Sequence, residues 1–141
     1  ARLLAELLRQ KLDAQSFNTS QGVCILPVPL FTKRLRQRGF NQSIELARAL
    51  SKKMGWPMEL KRLQRVRETV SQTGLDAKAR RKNIRGAFKL AGSFPWQHVV
   101  IVDDVVTTGS TVNELSRLLK KAGVERITVL SLARAPLGKH K

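Results

Sequence analysis

The chain has 141 residues, a length for one domain, and 42% of them are hydrophobic, which excludes wholesale disorder. Its 27 Lys and Arg against 10 Asp and Glu give a net charge of +17, which points to phosphate-bearing partners without saying which. The longest apolar stretch, Val23 to Leu30, is broken by Pro27 and Pro29 and is too short to span a membrane.

Residues 1–12 are expected to be helical, because Leu3, Leu4, Leu7, Leu8 and Leu12 fall at helical spacing. Residues 13–21 are polar and turn-like. Val23, Cys24, Ile25, Leu26 and Val28 then suit a buried strand. Cys24 is the one cysteine, which excludes an internal disulfide and a cysteine-built zinc site. In an apolar run it reads as a small core residue. No basic start leads into an apolar block, so no secretory signal is expected and a cytoplasmic location is the default. The first residue is Ala rather than Met, as in a fragment.

Residues 31–41 form a basic loop with Lys33, Arg34, Arg36, Arg38 and Gly39, and Asn41 is a candidate N-cap. The following helix has Ile44, Ala47, Leu50 and Met54 on one face and stops at Gly55 and Pro57. Residues 58–66 read as a polar strand. From Lys61 to Gly86 there are 9 basic residues and only Glu68 and Asp76 as acids, so residues 67–86 read as a flexible basic loop. Ala87 to Leu90 return as a short strand, and Gly92 to Pro95 turn.

Val99 to Val102 are a buried strand ending at Asp103 and Asp104, followed by a Thr/Gly turn over 105–110. Thr111 and Glu114 have capping-box spacing. Val112, Leu115, Leu118, Leu119 and Ala122 form an apolar helix face, and Gly123 is its stop. Ile127 to Leu132 are the next strand. Strand, helix, strand at this length is a βαβ unit and hence a parallel sheet. The expected fold is α/β in three layers, a mostly parallel sheet flanked by helices. It forms one domain over 1–141, with 1–21 as leading helix and turn and 22–134 as core.

The segment from Val99 to Thr111 carries the chemistry. Two adjacent carboxylates stand where a parallel sheet binds ligands, and they can accept from sugar hydroxyls or meet a hydrated Mg²⁺. A hydroxyl-rich turn with Gly109 leads into a helix N-terminus, where N–H groups and the dipole favour a phosphate. A ribose 5-phosphate has both groups. No G-x-x-x-x-G-K-[ST] loop and no G-x-G-x-x-G is present, which discounts a P-loop NTPase and a dinucleotide fold.

All thirteen residues of this segment resemble the phosphoribosyl-diphosphate (PRPP) motif of type I phosphoribosyltransferases. The resemblance assigns the ribose hydroxyls to Asp103 and Asp104, and the 5-phosphate to Thr107, Thr108, Gly109, Ser110 and Thr111. Pro27 to Leu30, Lys33 to Gln42, Arg65 to Thr69, Gln72, Leu75, Arg81, Asn83 and Ala87-Phe88 resemble the ComF/GntX family, linked to DNA uptake in competence or to DNA utilisation. That family's longer members carry a zinc-binding segment before this part, which the chain lacks.

By the same resemblance, Lys33, Arg34, Arg38 and Gly39 are candidates for pyrophosphate, and Arg67 and Lys78 for a lid over it, with Mg²⁺ arriving on PRPP. The implied reaction is phosphoribosyl transfer to a base or amine. Residues 133–141 leave little for a base-recognising hood. The alternative is a non-catalytic nucleotide-sensing module that binds single-stranded DNA or a protein of the competence machinery. His98 and His140 have no metal partner at useful spacing, and His98 is expected at a strand edge. Trp56 and Trp96, beside Pro57 and Pro95, are expected to pack at the sheet's edge. Seven aromatics in all offer no stacking platform for bases.

Overall fold

A computed structural model describes residues 6, 7, 9, 10, 22–29, 42–67, 76–106 and 109–134, with main chain only at 77, 80, 104–106 and 132–134. Three strands form a parallel sheet: β1 (Val23–Pro27), β4 (His98–Val106) and β5 (Arg126–Arg134), in the order β1-β4-β5. The register pairs Val23 with His98 through Pro27 with Val102, and His98 with Arg126 through Val106 with Arg134. Met58 adds one parallel bridge outside β1, where Ile25 N–H donates to Pro57 O at 2.8 Å and Glu59 N–H to Ile25 O at 2.9 Å.

The middle strand is apolar on both faces because both are covered. Val99, Val100, Ile101 and Val102 are all fully buried. Val100 and Val102 join Val23, Ile25 and Leu130 beneath α1 (Gln42–Met54), which contributes Leu46, Ala47 and Leu50. Val99 and Ile101 join Cys24, Leu26 and Val28 against α3 (Ser110–Lys121), through Val112, Leu115 and Leu119. An antiparallel pair, β2 (Leu63–Arg65) and β3 (Phe88–Leu90), supplies Leu63 and Phe88 to that second core, and α2 (Ala77–Ile84) supplies Ile84. The result is the expected three-layer α/β arrangement.

Several boundaries differ from the sequence expectation. The buried face of α1 is turned toward Leu46, leaving Ile44 and Met54 half-buried. The strand expected over 58–66 is interrupted, because the Glu59 carboxylate accepts from the N–H groups of Lys61 at 3.3 Å and Arg62 at 3.0 Å and turns the chain. Within 67–86, read as loop, Asp76 caps a helix by accepting from Ala79 N–H at 2.7 Å. The central strand runs on to Val106 rather than ending at Asp103 and Asp104, because β5 keeps pairing beside it. Leu7, expected on an apolar helix face, is exposed.

His98 is no edge residue: it begins the middle strand, is 1% exposed, and its Nε2 lies 2.9 Å from Thr128 Oγ1 on β5. Trp56 and Trp96 are half-buried against the two cores, Trp56 under α1 and Trp96 on the α3 side. Among the described residues no helix is long and apolar enough to cross a membrane.

Candidate functional site

β1 and β4 are neighbours, and the chain leaves them in opposite directions. After β1 the next helix, α1, covers one face; after β4 the next helix, α3, covers the other. Adjacent parallel strands whose connections diverge leave a crevice at their carboxyl ends, the topological switch point where such sheets bind ligands. Val28 N–H donates to Val102 O at 3.0 Å, so β1's exit stays beside β4 at that end. The next residue on β4 is Asp103.

Asp103 is half-buried and pairs in register with Ser131 of β5. Asp104 follows it in the same strand. Gly109 is the N-cap of α3, in a left-handed conformation with φ 81°, and it brings no side chain to the helix end. A residue with a Cβ is strained there, which explains a glycine at this turn. The expected capping box does not form: Glu114 does not reach back to Thr111's turn. Ser110 is buried and Thr111 half-buried in the first turn of α3. The turn therefore delivers the chain from the crevice into a helix N-terminus, whose first N–H groups have no intrahelical acceptors. Thr107, Thr108, Lys33, Arg34, Arg38 and Gly39 lie outside the described residues.

The basic candidates downstream stand apart from one another. Arg67 donates to Asn83 O at 2.6 Å and Arg85 O at 2.7 Å, which closes the base of the β2–β3 excursion over the carbonyls ending α2. Lys78 is exposed near the start of α2. What the sequence did not disclose is the tie that Glu114 makes. This residue is 8% exposed, accepts from Arg117 Nη2 at 2.6 Å and from Gly86 N–H at 3.2 Å, and so ties the turn after α2 to the helix that follows the site. The Arg117 guanidinium holds the Glu114 carboxyl below the usual range against the opposing effect of burial, with help from Gly86 N–H and the charge of Arg85. The signal for Glu114 in the sequence was the capping-box spacing from Thr111, which points to the helix start and not to Gly86.

A cavity of 520 Å³ lies elsewhere, beside the outer edge of β1 and lined by Met58, Glu59, Leu60, Lys61, Arg62 and Ala91. Its one carboxylate, Glu59, is committed to Arg62 at 2.7 Å and the Trp96 indole at 3.1 Å. Among the described residues no three His, Cys, Asp or Glu side chains converge on a metal position.

Residues 41–141, which contain the crevice-to-helix turn, match the phosphoribosyl transferase domain family. The chain belongs to that family. The chain is also similar to Competence protein F of Haemophilus influenzae, 50% identical over 114 residues, covering 79% of this chain and 50% of the relative. DNA utilization protein YhgH of Salmonella typhi is 43% identical over 136 residues, covering 95% of this chain and 60% of that protein. The chain thus spans about half to three-fifths of these relatives' length. The family fold is also seen in the purine phosphoribosyltransferase from Pyrococcus horikoshii, with TM-score 0.55 and 20% identity over 98% of this chain and 75% of that one.

Proposed function

We propose that the chain binds PRPP at the β1/β4 switch point and transfers its phosphoribosyl group to a base or amine. The observation that carries this reading is the coincidence of the Asp103–Asp104 pair, the left-handed Gly109 and the N-terminus of α3 at one divergence of parallel strands. Asp103 and Asp104 would accept from the ribose 2- and 3-hydroxyls. Gly109, Ser110 and Thr111, with Thr107 and Thr108 before them, would hold the 5-phosphate by backbone N–H and hydroxyl donors.

A carboxylate pair at this position fits a Mg²⁺ carried in by the substrate's diphosphate. Carboxylate oxygens suit the ion, and Asp103 stands at the crevice to meet it. The diphosphate and water would complete its shell, and the ion would neutralise the leaving group's charge. The chain's own work is then to fix the ribose, supply cations beside the diphosphate from Lys33, Arg34 and Arg38, and exclude water with the segment bearing Arg67 and Lys78. Arg67's two carbonyl bonds hold the base of that segment. No side chain need attack carbon.

Similarity to relatives named for competence and DNA utilization supports a role beside DNA uptake or use. The test of transfer is release of pyrophosphate from PRPP and Mg²⁺ in the presence of each common nucleobase. Release that depends on one base supports the reading; none with any base or amine contradicts turnover and leaves binding to be tested alone.

A further inference from the structure

α2 has few means of its own to stay in place. It is eight residues long, shorter than an isolated helix needs to be stable. Its cations Lys78, Arg81 and Lys82 lie three and four residues apart and repel one another. Its one large apolar side chain, Ile84, is buried in the α3-side core. Hydrogen bonds at its two ends add to that contact. Asp76 caps its start. Arg67 donates to Asn83 O at 2.6 Å and Arg85 O at 2.7 Å at its finish. Glu114 accepts from Gly86 N–H at 3.2 Å just past the C-cap.

The last of these bonds differs from the others in where it is rooted. Asp76 and Arg67 flank α2 in the same excursion of the chain, whereas Glu114 belongs to α3. It stands five residues beyond the N-cap Gly109, in the second turn of that helix. Arg117, one turn on, grips the same carboxylate at 2.6 and 3.1 Å and so fixes the acceptor on the helix. The apolar contact at Ile84 is non-directional and tolerates sliding. A hydrogen bond is directional and weakens steeply when misaligned. A shift of the first turn of α3 therefore disturbs the end of α2, and a loosened α2 releases an acceptor one turn from the candidate phosphate loop.

We propose that Glu114 is a positioning residue for the phosphate site: its bond to Gly86 couples the placement of α2 to the first turn of α3, so that a phosphate held there and an ordered α2 stabilise each other. The proposal rests on the PRPP reading for the identity of the ligand. Such coupling is reciprocal: if an ordered α2 tightens binding, bound ligand orders α2 by the same factor. Charge alone has the opposite sign. A carboxylate near the amino end of α3 repels a phosphate, so removing it would strengthen binding if its charge were all that mattered. Coupling through Gly86 predicts weaker binding.

The test is calorimetric titration of PRPP with Mg²⁺ into the full chain, with amide hydrogen exchange over 77–86 measured with and without the ligand. In the unaltered chain PRPP should slow exchange over α2. Glu114→Ala should bind PRPP about fivefold or more weakly, and PRPP should no longer slow exchange there. Glu114→Gln has the same charge as the alanine variant but keeps an oxygen for Gly86, and should recover most of the loss. Glu59→Ala removes an acid just as buried, 6% exposed, from the outer edge of β1, and should bind as the unaltered chain does. If Glu114→Ala does not fold, Glu114→Asp keeps the charge, withdraws the acceptor by one methylene and should weaken binding in the same direction. Affinity unchanged without Glu114, a loss that the glutamine does not recover, or an equal loss in Glu59→Ala would overturn the proposal and leave the PRPP site standing. PRPP binding that leaves exchange over α2 unaltered would do the same. No PRPP binding by the unaltered chain would contradict the site itself, and the proposal with it.

Discussion

Glu114 and Gly86 are 28 residues apart in sequence, and the Gly86 N–H donates to the Glu114 carboxylate at 3.2 Å. The same carboxylate takes two bonds from Arg117, at 2.6 and 3.1 Å. One buried acid thus joins the turn that ends α2 to the helix that begins at the candidate phosphate loop. Glu114→Ala removes the acceptor from both donors and should destabilise the fold by about 1–3 kcal/mol in urea unfolding. Glu114→Gln keeps one oxygen for Gly86 and should cost less. An alanine variant as stable as the unaltered chain would mean that the tie carries no weight.

Acid should expose this bond and its counterpart at Glu59. Burial pushes the Glu59 carboxyl up, but the Arg62 N–H, the Trp96 indole and the Arg62 guanidinium together outweigh it and hold the group low. Glu114 is held low as well. A carboxyl depressed in the fold contributes stability that is complete above its unfolded value, about 4.3, and is lost as pH falls through the folded value. Thermal unfolding below about pH 4.3 should therefore steepen in its pH dependence, and the Glu59→Gln, Glu114→Gln variant should flatten it. An unchanged slope in the variant would locate acid sensitivity in other carboxylates.

His98 acts in a higher window. Burial pushes its imidazole below the ordinary value, and the charge of Arg126 adds to that. The unfolded chain then binds a proton more readily than the folded one, so stability should fall as pH drops from about 6.5 toward the folded value. Replacing His98 by Asn should abolish that component between neutral and mildly acidic pH. A titration equally steep with and without His98 would show that its ring accepts a proton in place.

Gly109 should not tolerate a side chain. At φ 81° an alanine is strained, while among the described residues its Cβ would meet only Asn113 Nδ2, at an ordinary 3.9 Å. The cost is conformational, about 1–2 kcal/mol. Gly109→Ala should lower stability by that amount and weaken anion binding at the α3 N-terminus. Full stability in the variant would mean the left-handed turn is not held in solution.

The central strand and its two helices were legible because periodicity and burial agree there: Val99 to Val102 are apolar on both faces, and α3 has Val112, Leu115 and Leu119 at helical spacing. The position of the carboxylate pair was legible as a motif. The switch point was not, since nothing local tells which face α1 or α3 will cover. α2 was missed because an Arg/Lys-rich run has weak apolar periodicity, and its cap and anchors come from Asp76, Arg67 and Glu114. Glu114 was misread because capping-box spacing says nothing about a backbone donor 28 residues away. The strand expected over 58–66 broke because Glu59 satisfied its neighbours' N–H groups instead of leaving them to a ladder.

The most direct measurement is a calorimetric titration of PRPP with Mg²⁺ into the chain, beside the Asp103→Asn, Asp104→Asn variant. Saturable binding that the variant loses, with its thermal unfolding intact, is the predicted result. Binding unchanged in the folded variant, or no binding by either protein, would contradict a ribose-phosphate site at the β1/β4 divergence.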